Sequence, residues 1–157
     1  MRTRFSRFGV AAMASLAITA LVAQETVRGL PPDVAAKLNE IKEIYVATDR
    51  KDGSRSTPAP VWFGVMDGAV WFTTSPGSHK ARRIKRGSPL YLSANGKDGP
   101  YFKMKAEIVR DGDKAERLGE IYNQKYWIAW IGFFRPSRSR NESGKTILLK
   151  LTPMSQP

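Results

Sequence analysis

Four side chains within six residues, Ser78, His79, Lys80 and Arg83, bring together a hydroxyl, an imidazole, an ammonium and a guanidinium, the groups that hold a phosphate or a similar dianion. They lie in WFTTSPGSHKARRIKRG (residues 71–87), where an apolar strand passes through a Ser-Pro-Gly turn into a short basic helix. Backbone N–H groups of the turn, the positive end of a helix dipole starting near Ser78, and the Lys80 ammonium can converge on one anion. Lys80 and Arg83 are one turn apart and share a face, while Ala81 and Ile84 turn inward. The competing reading is a solvated basic helix at the edge of a β-protein, because runs of charge are most often plain surface.

The remaining composition closes off most other chemistry. Cysteine is absent, which excludes disulfides, thiolate catalysis, iron–sulfur clusters, zinc ribbons and an acylated lipoprotein. His79 is the single histidine, so multi-histidine metal sites are excluded and a Ser/His/Asp hydrolase would depend on that one ring. Asp67, Asp111 and Asp113 all stand in turn sequences, and no residue carries a general-acid or general-base signature. The chain has 157 residues, 41% of them hydrophobic, and a formal charge of +12, enough apolar content for one domain and enough positive charge to attract anions of every kind.

Residues 1–23 read as a secretory signal. Arg2, Arg4 and Arg7 precede an apolar run rich in small residues that ends in Leu21-Val22-Ala23. Export, to a periplasm or beyond the cell, is therefore expected, with an uncleaved anchor as the alternative and no stable membrane span after cleavage. Without the three signal arginines, residues 24–157 carry +9 and form a single domain.

In that domain a GLPPD turn leads into a helix over 34–42 with Asp33 as its N-cap. Strands follow at 44–48, 58–65 and 69–74, joined by hairpin loops with Asp-Gly turns, a pattern that specifies an antiparallel meander. The basic helix spans 78–86 and is stopped by Gly87-Ser88-Pro89. Strands at 90–94 and 101–110, a helix over 114–126, an aromatic run at 126–134, an arginine-rich loop at 135–144 and a last strand at 146–151 complete the chain. About six short antiparallel strands with a helix inserted between the third and fourth describe a mainly β fold, a small barrel with helices at its ends. The aromatics fall on strands with alternating apolar partners, which favours core over base-stacking platforms, so nucleic acid is not expected as a partner.

Taken together, the strand IYVATD, the turn DGSRSTPAPVWF, the segment VWFTTSPGSHKARRIKRGSPLYLS and the strand YFKMKAEIV resemble the FMN-binding split β-barrel superfamily, which includes pyridoxamine 5′-phosphate oxidases and deazaflavin-dependent reductases. The resemblance covers residues 40–109 well and the rest in outline. It implies a homodimer with a flavin in the groove between subunits. Carried onto this sequence, it places the backbone of Val61, Trp62 and Phe63 against the flavin ring, Thr73 and Thr74 beside the ring or ribityl chain, and Ser78, His79, Lys80 and Arg83 on the phosphate. It assigns no catalytic acid or base.

The expected activity is thus flavin-dependent oxidation or reduction of an unspecified small-molecule substrate, with FMN as cofactor. Two alternatives stand beside it. The deazaflavin coenzyme F-420 would use Arg82, Arg86, Arg135, Arg138 and Arg140 against its acidic tail, and a flavin- or haem-binding protein without turnover would need only the pocket, haem finding an axial ligand in His79 or a tyrosine. Tyr126, Trp127, Trp130, Phe133 and Phe134 could wall the substrate side, form the dimer contact or fill the core.

Overall fold

The computed structural model describes residues 25–128 and 135–154; the expected signal and Trp130, Phe133 and Phe134 lie outside them. The described chain runs α1 (Pro32–Glu40), β1 (Glu43–Thr48), β2 (Ala59–Trp62), β3 (Gly64–Met66), β4 (Ala69–Thr74), α2 (His79–Lys85), β5 (Leu90–Ser93), β6 (Phe102–Val109), α3 (Gly112–Lys125), α4 (Arg138–Glu142) and β7 (Ile147–Pro153). Among the described residues no helix is long and apolar enough to cross a membrane.

The seven strands form one antiparallel sheet in the order β2-β1-β5-β6-β7-β4-β3. Its outermost strands, β2 and β3, are separated in the chain by Phe63 alone. Two edges joined by one residue must lie side by side, so the sheet rolls into a nearly closed barrel, the expected split-barrel architecture. The expected single strand over 58–65 is therefore two strands. The backbone breaks at Phe63 because β2 pairs with β1 and β3 pairs with β4 at the far end of the sheet. A Cβ on Gly64 would stand 2.7 Å from Leu118 Cδ1 and 2.9 Å from Ile121 Cγ2, so glycine is what lets the bend press against α3. The simple meander is likewise corrected, since β7 is inserted between β6 and β4 and holds the two parts of the sheet together.

Other boundaries shift for local reasons. The first helix starts at Pro32, preorganised at the first helical position, which puts Asp33 inside the first turn instead of at the cap. Asp67 (φ 54°) and Gly68 (φ 68°) form the left-handed turn between β3 and β4. The arginine-rich segment contains α4, capped by Ser137, whose Oγ accepts from Arg140 N.

Alternation along β4 divides the core. Val70 and Phe72 face the barrel interior with Leu38, Ile44, Phe63, Leu90, Leu92, Met104, Leu149 and Leu151. Trp71 faces outward, where α3 covers it with Leu118, Tyr122 and Tyr126. Residues of both faces are thus buried on β4, and the Trp71 indole N–H is satisfied by the Met66 carbonyl at 2.8 Å. Of the C-terminal aromatics described, Tyr126 is buried, whereas Trp127 is 72% exposed.

Candidate functional site

Strand β4 ends at Thr74, and the turn over 75–78 leads into α2. Ser78 caps the helix, its Oγ accepting from Ala81 N at 3.1 Å and from Thr74 Oγ1 at 3.2 Å. Its own hydroxyl proton stays available to a further acceptor. Buried Ala81 and Ile84 anchor α2 to the interior, and Gly87 (φ 89°) ends it.

The outer side of α2 faces the end of β1 and the strand-like segment that precedes β2. Between them lies a cleft of about 320 Å³ lined by Ser78, His79, Lys80 and Arg83 on one side and by Thr48, Arg50, Ser56, Thr57 and Ala59 on the other, with Val46 and Ala47 at its floor. Arg83 NH1 donates to Thr48 Oγ1 at 3.3 Å. Thr48 N donates to Ser56 Oγ at 3.0 Å, and Ser56 N returns a bond to the Thr48 carbonyl at 2.8 Å, so the two hydroxyl-bearing segments are held in register. Arg50 is steadied by the Arg55 carbonyl at 2.7 Å and by Ser54 Oγ at 3.1 Å.

No carboxylate lines this cleft. Among the described residues the ion pairs engage Lys105, Lys114, Arg117, Arg135 and Arg138, and none includes Arg50, Lys80, Arg82, Arg83 or Arg86. Three cations without carboxylate partners, Arg50, Lys80 and Arg83, therefore share this one cleft. Burial holds the Lys80 ammonium below the usual lysine pKa, a cost that a bound anion would offset. His79 is exposed at the rim, with Nδ1 lying 3.0 Å from Arg82 NH2. Such a site can bind a phosphate through charge-assisted hydrogen bonds.

The structure brings Ser78, His79, Lys80 and Arg83 together in one cleft. Val61, Trp62, Phe63, Thr73 and Thr74 lie outside its lining. Val61 pairs with Ile44 and packs half-buried on the inner core. Trp62 stacks on Tyr126 with ring centroids 4.4 Å apart, and its carbonyl accepts from Tyr122 Oη at 2.6 Å. Phe63 is fully buried, its N–H donating to Tyr126 Oη at 2.9 Å. Thr73 and Thr74 are half-buried and pair with Leu148 and Ile147. Thr48, Arg50, Ser56 and Thr57 escaped sequence reasoning as site residues. The available signal was the Asp52-Gly53 turn, which brings Ser56 back opposite Thr48 at the end of β1.

Residues 30–155 match the family model of pyridoxamine 5′-phosphate oxidase. Among solved structures the chain is similar to HutZ, the heme storage protein from Vibrio cholerae (14% identity, 81% of this chain and 92% of that one, TM-score 0.57). It is also similar to an F-420 reductase (20% identity, 80% and 96%, TM-score 0.54) and to general stress protein 26 from Bacillus anthracis (18%, 75% and 87%, TM-score 0.51). At these identities the likeness is one of fold. No curated protein matches the chain.

Proposed function

Because the chain belongs to the pyridoxamine 5′-phosphate oxidase family, we propose that it is a flavin-dependent oxidoreductase that binds FMN and acts on a small molecule. The observation that carries this reading is the cleft at α2, where Arg50, Lys80 and Arg83 meet the hydroxyls of Ser56, Thr57 and Ser78 with no carboxylate among them. Three unpaired cations and several free hydroxyl protons fit the phosphate end of a flavin mononucleotide. Lys80, Arg83 and Arg50 would hold its charge, and Ser56, Thr57 and Ser78 its remaining oxygens. Once bound, the flavin supplies hydride or electron transfer. The chain supplies binding, orientation and exclusion of water.

The coenzyme F-420 reading draws on a separate observation. Arg82 and Arg86 are exposed and without carboxylate partners on the same helix, more positive charge than one phosphate monoester requires. The proposal also includes a homodimer and export directed by residues 1–23. Gel filtration of the purified protein after incubation with FMN tests the central claim: co-elution of flavin at about one per chain, bleached by dithionite and restored by air, is the expected result. Flavin that elutes free, with F-420 retained in its place, would move the assignment to the deazaflavin, and retention of neither would overturn it.

A further inference from the structure

Lys125, in the last turn of α3, has no part in the anion cleft. Its Nζ lies 3.4 Å from the centroid of the Phe63 ring and 5.9 Å from that of Tyr126, and it donates to the Leu38 carbonyl of α1 at 3.3 Å. Among the described residues no carboxylate pairs with it. Lys125 instead lines a second cleft of about 270 Å³ between α1, β3 and α3, together with Leu38, Asn39, Gly64, Val65, Ile121 and Gln124.

An ammonium half withdrawn from water with one carbonyl as acceptor is poorly solvated, and the Phe63 face offsets only part of that loss. Burial accordingly lowers the Lys125 pKa to about 8, so that a real fraction is free amine near neutral pH. Tyr126, the titratable group in contact with it, is held un-ionised by burial and adds no charge. The cleft walls offer Leu38, Val65 and Ile121 to an aliphatic chain and the amides of Asn39 and Gln124 to a carbonyl oxygen. With no cation there besides Lys125, an uncharged ligand suits the cleft better than a phosphorylated one.

We propose that Lys125 is a carbonyl-reaction site, where the amine condenses with a small aliphatic aldehyde held in the cleft between α1, β3 and α3. The nitrogen lone pair forms the C–N bond at the carbonyl carbon, and the carbonyl oxygen leaves as water with the two amine protons, giving a neutral imine. No oxidant or reductant is consumed. None of the residues lining this cleft lines the α2 cleft, so the site is separate from the proposed phosphate site.

The test treats the full chain at pH 7.4 with butyraldehyde, fixes each imine with cyanoborohydride and quantifies the butyl adduct on every lysine by peptide mass spectrometry. Burial favours the free amine of Lys125, and its labelling is expected to exceed that of the exposed Lys51 and Lys97 by about tenfold. The Lys125 rate should also saturate with aldehyde concentration and rise as pH passes 8. Labelling of Lys125 within threefold of Lys51 and Lys97 overturns the proposal, and so does a rate that stays linear in aldehyde. Lys125→Arg should lose that adduct alone; the wild-type rates decide the matter even if the variant fails to fold.

Discussion

Replacing Lys80 by alanine isolates the contribution of the α2 cleft to anion binding. In the folded protein the Lys80 ammonium is half-buried, has no carboxylate partner and lies 5.8 Å from the Phe72 ring centroid, so its removal breaks no ion pair. Stability without ligand should stay within about 0.5 kcal/mol of wild type. Binding should respond much more. One charge-assisted hydrogen bond to phosphate contributes about 1.5–3 kcal/mol, so the FMN dissociation constant should rise by about 10- to 140-fold. Quenching of flavin fluorescence on titration with protein measures this directly. Arg82→Ala is the internal contrast, because Arg82 is exposed, bonded to His79 and absent from the cleft lining; its effect should remain within about threefold. Since burial depresses the Lys80 pKa and a bound phosphate would raise it, wild-type affinity should weaken as pH rises toward the lysine range, and the variant should lose that dependence. Lys80→Ala binding FMN as wild type does while melting at the wild-type temperature would refute the assignment. Equal losses for Lys80→Ala and Arg82→Ala would show that the helix acts by bulk charge.

Three further predictions concern the scaffold. Tyr126→Phe strands the buried Phe63 N–H, and should lower stability by about 1–3 kcal/mol in urea denaturation with an unchanged slope. Gly64→Ala forces a Cβ against Leu118 and Ile121 and should lower it by about 1–3 kcal/mol, with the far-ultraviolet circular dichroism of the native state preserved; an unaltered midpoint would mean that α3 yields freely. Burial raises the pKa of Tyr122 and of Tyr126 above the ordinary tyrosine value, so their contribution is complete below about pH 10 and is lost as pH rises through the raised folded values. Urea midpoints measured from pH 9 upward should therefore fall, and Tyr122→Phe should flatten the fall.

What was legible in the chain was whatever is local. The Asp67-Gly68 turn, the start of the basic helix near Ser78, the inward Ala81 and Ile84 and the stop at Gly87 are each written in a few consecutive residues, and the four members of the cleft on α2 are neighbours in sequence. The rest depends on pairings between distant segments. Gly64 is the one local mark of a bend in PVWFGV, but the segment does not show Phe63 as a crossing point, because both strands that meet there are apolar and their partners, β1 and β4, do not adjoin in the sheet. The opposite wall of the cleft was missed for the same reason, since Thr48 and Arg50 reach it only once the β1–β2 hairpin has closed. The tyrosine hydroxyls of α3 that satisfy the Trp62 carbonyl and the Phe63 N–H join residues 60 and 63 positions apart, beyond any periodicity argument.

The placement of β7 between β6 and β4 also has a kinetic consequence. Until residues 147–153 are in place, the β3–β4 hairpin has no strand to dock on, and Val70 and Phe72 lack the Leu149 and Leu151 that enclose them. No stretch of chain upstream can therefore form the whole sheet, which requires segments more than 70 residues apart, β4 and β7, to meet. Such nonlocal closure slows folding and prolongs exposure of the unpaired β4 edge. A nascent chain lacking β7 is accordingly the species most prone to aggregate, and substitutions at Leu149 or Leu151 should slow folding if β7 docks in the transition state.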